Sequence, residues 1–181
     1  YTYEADSRVI EEIGMFSGGP ATITGIGEPE EVEAVWLTEG MLPLLGARPI
    51  QGRLFTAADD EPGAARTVIV SWGYWQRRLD SRPNVVGTTL RVDGLPREII
   101  GVLPAEFRLL EEEAELYLPL QLDRSTMFVG NFGYTGVARL RPGVSTAQAE
   151  ADLARLLPVA VERFPGGLTL TMLGCMQAAY P

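Results

Sequence analysis

Carboxylates are the abundant reactive groups in this chain, and two runs gather them. Asp59-Asp60-Glu61 form one run; Glu111-Glu112-Glu113 with Glu115 form the other. Paired carboxylates can hold a hard cation, or act as acid and base across a glycosidic bond. Neither run has the alternating ligands and turn glycine of a calcium loop. Acids crowded beside strands are therefore expected to be solvated faces. Ser71, Ser125 and Ser145 have no activating base, because the sequence holds no histidine and all fifteen basic residues are arginine. A hydroxyl without a base is a weak nucleophile, so caps and turns are the expected roles. With no histidine and one cysteine, Cys175, the usual zinc and copper ligands are almost missing. Gly25-Ile26-Gly27 lies between two predicted strands and opens no helix, so it is not a dinucleotide fingerprint. A Walker lysine cannot occur in a chain without lysine, so any ATP hydrolysis belongs to another part of the polypeptide or to a partner. The expectation is no catalytic residue, no metal site and no cofactor.

The remaining candidates are for binding. Trp72 and Trp75 could stack on a sugar or an aromatic ligand, but core or lobe-interface packing is the simpler role. Arg77-Arg78 could mark an anion site; the favourable field at a helix C-terminus also explains them. Met127, Phe128 and Phe132 fall in an irregular segment, 124–133. They either tuck into the core or form an exposed contact patch for a partner or membrane surface, and exposure is the expectation.

Composition bounds the class. A chain of 181 residues suits one domain or two small lobes, able to bury about 70% of its unfolded surface. The net charge of −9, with no basic stripe, argues against a nucleic-acid partner. A single cysteine cannot form an internal disulfide. Met172-Leu173-Gly174-Cys175 has the letters of a lipoprotein cleavage box but stands near the C-terminus, where such a box has no use. No apolar run approaches the roughly 20 residues needed to cross a bilayer. Tyr1 follows neither a start methionine nor a basic leader, as expected for a piece of a longer polypeptide.

Many short elements must position these residues. Val9, Ile10, Ile13 and Phe16 have helical spacing, which predicts a helix over 5–16. Strands are expected at 21–26 and 32–37, with Val32, Ala34 and Trp36 on one face. Thr38 is the expected cap of a short helix through Leu45, and Gly46 its stop. A strand at 67–71 leads into a helix capped by Ser71, with Trp72, Trp75 and Leu79 on one side. Strands at 88–93 and 97–103 flank Asp93-Gly94, the signal for a two-residue type I′ turn. Another strand covers Glu115–Leu122. Strand 134–140 precedes a turn at Pro142-Gly143, and Ser145 with Gln148 forms a capping box. The helix after it carries Ala149, Leu153, Leu156, Leu157, Ala160 and Phe164 on one stripe, and Pro158 should kink or end it near Ala154. A last strand is expected over 167–173. The order indicates an α+β chain whose middle third forms a separate lobe.

Five blocks, in order, resemble the periplasmic core domain of MacB-like ABC-transporter permeases, which precedes an FtsX-like membrane region. They are LTEGMLPLLGARPIQGRLFTAADD, VIVSWGYWQRRL, VVGTTLRVDGLPREIIGVLP, ELYLPL and VARLRPGVSTAQAEADLARL, spread over most of residues 20–165. The resemblance implies two lobes. Residues 1–65 and 124–181 would build a porter-like α+β lobe from both chain ends, with a mostly-β lobe, 66–123, inserted between them. It also implies an extracytoplasmic domain of an inner-membrane protein, with helix 5–16 continuing a transmembrane helix outward. The implied partners are membrane helices of the same permease, a cytoplasmic ATPase, a periplasmic adaptor or substrate protein, and a second copy as homodimer or pseudo-dimer. The implied role is non-catalytic, relaying ATP-driven conformational change during export. The alternative is an FtsX-like module that recruits cell-wall hydrolases without moving a solute.

Overall fold

The computed structural model describes residues 2–110, 112–123 and 133–163. In chain order the elements are α1 (Thr2–Asp6), β1 (Ile10–Thr24), β2 (Glu30–Leu37), α2 (Met41–Leu44), β3 (Gln51–Gly52), α3 (Ala57–Asp60) and β4 (Thr67–Val70). Then follow α4 (Trp72–Arg78), β5 (Thr89–Val92), β6 (Leu95–Val102), β7 (Leu116–Pro119), β8 (Thr135–Leu140) and α5 (Thr146–Arg163). This is the α+β class expected, with a large sheet and few helices. No helix among the described residues is long and apolar enough to cross a membrane.

The chain divides into two compact units, Tyr1–Ile13 with Asp123–Pro181, and Gly14–Leu122. An insert was expected to begin near residue 66, yet residues 14–65 belong to the middle unit. Strand pairing is the reason. β1 pairs with β2 from Phe16↔Leu37 to Ile23↔Glu30, and with β5 at Ile23↔Val92. β2 runs parallel to β7 at Ala34↔Leu116. β7 then pairs with β4, β4 with β6, and β6 with β5. The pairings close a ring in the order β1-β2-β7-β4-β6-β5, so the early strands cannot be separated from the later ones. Ring closure leaves those strands no free edge.

The ring encloses one core. Ala21, Ile23, Val32, Ala34, Val68, Val70, Leu90, Val92, Ile99, Val102, Leu116 and Leu118 point inward, and Tyr74 of α4 fills one end. Other buried apolar residues, among them Leu42, Phe55, Leu103 and Leu109, lie on α2 and on the loops before α3 and after β6. β1 passes so close to α2 that a Cβ on Gly14 would stand 2.8 Å from the Met41 Sδ.

The expected helix over 5–16 is instead α1 followed by the start of β1. Val9, Ile10, Ile13 and Phe16 have helical spacing, but strand pairing, with β8 and from Phe16 onward with β2, outweighs local periodicity, as β structure commonly does. Other local signals hold. Asp93 and Gly94 have φ of 51° and 75°, as a type I′ turn needs. The Ser71 Oγ accepts the Tyr74 N–H at 3.1 Å, capping α4. Gly46, at φ 73°, follows α2 as its stop. Thr38 does not cap α2, whose N-cap is Gly40; the Thr38 Oγ1 accepts the Met15 N–H instead.

The smaller unit packs α1 with α5. The Asp152 carboxylate accepts the Ser7 hydroxyl at 2.7 Å and the Arg8 N–H at 3.1 Å, and pairs with Arg155. The Ser7 hydroxyl, then Arg155, hold the Asp152 carboxyl below the usual carboxylate range. Ser145 and Gln148 exchange the expected capping bonds. α5 runs through Pro158 to Arg163, beyond the stop expected near Ala154. The proline takes one N–H from the helix ladder without ending it. Strand 167–173 lies outside the described residues.

Candidate functional site

The acidic run at 59–61 is built into the fold. Asp59 is 7% exposed, in the first turn of α3. Its carboxylate takes both Arg53 guanidinium nitrogens at 2.6 and 2.9 Å, and reaches back to the Thr56 N–H at 2.8 Å and hydroxyl at 2.7 Å. Arg53 first, then the Thr56 bonds, hold the Asp59 carboxyl at about 2 despite burial. Asp60 accepts the Glu39 and Gln121 backbone N–H groups, fastening two loops. Burial, then the Asp60 carboxyl alongside, raises Glu39 above the usual range. Only Glu61 of this run is the solvated acid the sequence suggested.

Among the described residues of the second run, only Glu115 is built into the fold in this way. Glu115 stands at the entry to β7 and takes Arg77 in a bidentate pair at 2.6 and 2.8 Å. Arg77 also reaches Glu30, and Arg78 pairs with Glu30 at 2.7 Å while donating to the Ile26 carbonyl. These contacts tie the end of α4 to the starts of β2 and β7. They lie over Tyr74, with the Arg77 guanidinium 6.0 Å from its ring. Burial, then the Glu30 charge, pushes the Tyr74 hydroxyl up to about 12. Glu112 and Glu113 are exposed; Glu111 lies outside the described residues.

Ser71 and Ser145 are caps, as expected. Trp75 packs partly against the core and donates its Nε1–H to the Arg82 carbonyl at 2.9 Å. Ser125 and the contact candidates Met127, Phe128 and Phe132 lie outside the described residues. Among the described residues no cluster of metal-binding side chains occurs. An open cleft of about 600 Å³ is lined by Leu45, Pro49, Ile50, Pro104 and Phe107, with Arg48 and Arg108 beside it. It carries no nucleophile and no paired carboxylates.

Sequence reasoning missed two groups. Tyr74, rather than Trp72, is the residue α4 buries completely. Arg53 is the partner that makes Asp59 structural. Thr56-x-x-Asp59 resembles a helix-start pattern and was the available signal; nothing local announces the pairing of Arg77 with Glu115.

Comparison with known proteins turns on this framework. The family model described as the MacB-like periplasmic core domain matches residues 3–156. No curated protein matches the chain. Among solved structures, the periplasmic region of MacB from Actinobacillus actinomycetemcomitans shares 18% identity with a TM-score of 0.67; the match covers 86% of this chain and 70% of that one. The extracellular domain of the noncanonic ABC-type transporter YknZ from Gram-positive bacteria shares 17% identity with a TM-score of 0.60, covering 89% and 79%. At such identities the structures speak for the fold, and the family model speaks for membership. The chain belongs to the MacB-like periplasmic core domain family, an extracytoplasmic part of ABC-transporter permeases.

Proposed function

We propose that this domain is a non-catalytic relay. ATP hydrolysis on a cytoplasmic ATPase moves the permease's membrane helices, and the domain carries that movement outward to a substrate or partner protein during export. Two copies, or one copy and a related chain, would act together. The observation that carries this reading is the family match over residues 3–156. The closed strand ring supports it. Its reactive side chains are spent on caps and ion pairs, with Asp59 on Arg53 and Glu115 on Arg77. A packed body with few voids transmits displacement instead of absorbing it.

The test replaces residues 2–163 by a flexible Gly/Ser linker in the full-length permease. ATP hydrolysis by the reconstituted permease and ATPase should continue near its normal rate, while cells show the phenotype of deleting the whole permease. A linker variant that restores the normal phenotype would contradict the relay. Retention of a cell-wall hydrolase by the domain, with export unaffected by the linker, would favour the FtsX-like recruiting role instead.

A further inference from the structure

Arg77 and Arg78 sit at the end of the ring where β2 and β7 begin. β4 runs antiparallel to β7 and parallel to β6, so the starts of β4 and β6 lie at the other end. Two arginines stand there without a carboxylate ion partner among the described residues. In the β5–β6 ladder Leu90 faces Arg97, and Leu90 is fully buried in the core. Residues directly opposite in a ladder share a face, so Arg97 leaves β6 on the core side, as Ile99 does. In the β4–β6 ladder Thr67 faces Glu98 and Val68 faces Ile99. Extending that register by one residue sets Arg66 beside Arg97, and the Glu98 N–H donates to the Arg66 carbonyl at 2.9 Å.

The pair is held at a cost. Arg97 is half-buried, and its Nε is shut off from water without an acceptor. Burial, then the charge of Arg66, lowers its pKa. Glu98 points to the other face, and the Asp93 carboxylate accepts the Thr22 N–H and only partly offsets burial and Arg66 at Arg97, to which it makes no ion pair. A buried donor left unmade is destabilising, and so is a like charge beside it. At the opposite end of the ring, Arg77 and Arg78 of α4 take carboxylates.

We propose that Arg66 and Arg97 form an oxyanion site at this mouth of the ring, taking a phosphate group. A tetrahedral oxyanion would draw both guanidinium forks together, and the Arg97 fork would turn toward solvent so that its Nε gains an acceptor. Leu95, paired with the inward Val92 and 40% exposed, forms an apolar lip at the same mouth. The lip fits a phosphate carried on a larger organic group, such as a lipid headgroup, as well as free phosphate.

The test follows the arginine Nε–Hε resonances of the ¹⁵N-labelled chain during titration with inorganic phosphate, against sodium chloride at equal ionic strength. The Arg97 resonance should shift and saturate with phosphate alone. Arg66→Gln, an exposed position, should weaken phosphate by about tenfold, the loss of one charge-assisted contact. Arg97→Gln should abolish saturation. Arg91→Gln should change nothing, because the Arg91 guanidinium serves the Gly94 carbonyl of the turn. Glycerol phosphate binding more tightly than inorganic phosphate would identify the headgroup as the source; equal affinity would identify free phosphate. A stability readout separates binding from structure. Without phosphate, Arg97→Met should melt above the wild type, since the buried donor is gone. Shifts that grow linearly and equally with chloride, or a lower melting temperature for Arg97→Met, would overturn the site.

Discussion

Gly101→Ala is expected to destabilise the domain by about 3 kcal/mol, lowering its melting temperature by about 8 °C. Gly101 faces Gly52 where β3 lies against β6. A Cβ there would stand 2.5 Å from the Arg53 carbonyl oxygen, which is backbone and cannot turn aside. Beside this point the β4–β6 register slips by one residue, between Val68↔Ile99 and Ile69↔Gly101. The strand is already bent there and has no slack to absorb a methyl group. Gly63→Ala separates the causes. Gly63 has φ of 79° with open space around its Cβ position, so an alanine there meets backbone strain and no clash. Its loss should be about 1 kcal/mol. Equal melting temperatures for Gly101→Ala and the wild type would mean that β3 does not cross β6 at this distance.

Asp59→Asn should cost about 2 kcal/mol at neutral pH, and the cost should fade in acid. The Asp59 carboxyl sits at about 2 in the folded chain against an ordinary 3.8. Each unit of difference is worth about 1.4 kcal/mol, giving about 2.5 kcal/mol as an upper figure, which the half-solvated Arg53 partner reduces to about 2 kcal/mol. A depressed carboxyl stabilises fully above its unfolded pKa and loses that contribution as pH falls through its folded value. Stability from Asp59 is therefore complete above about pH 4 and gone below about pH 2. Urea melts of wild type and Asp59→Asn across that window should converge. A gap that stays constant with pH would assign the loss to packing and not to the ion pair.

What the sequence made legible was local. Asp93-Gly94 forces φ > 0 at two successive residues, Ser145 and Gln148 satisfy each other, and Ser71 precedes a helix. Each signal acts within four residues, and each element formed where it pointed. What stayed hidden was long-range. The apolar spacing from Val9 to Phe16 fits a helix until β8 and β2 supply its ladder, and β2 owes its own place to β7, some eighty residues further on. The lobe boundary moved for the same reason. Glu115 resembled part of a solvated face because its arginine partner lies at a sequence distance no pattern marks: Arg77 and Glu115 meet across the ring.

These partnerships also bear on function. Ion pairs half in water contribute little stability singly. Here they fix α4 against two strand starts, and so set the angle at which the helix stands on the ring. A relay requires such fixed angles, because a displacement entering one element must leave through another.

The relay is tested most directly by a distance in the intact permease. Gln76 is exposed on α4, clear of the Arg77 pairs, and accepts a nitroxide as Gln76→Cys in an otherwise cysteine-free background that includes Cys175→Ser. Pulsed electron–electron resonance then reads the separation of the labels in two copies, nucleotide-free and ATP-trapped. The account predicts two distinct distance distributions that interconvert with nucleotide. Superimposable distributions, in a permease that still hydrolyses ATP, would contradict it.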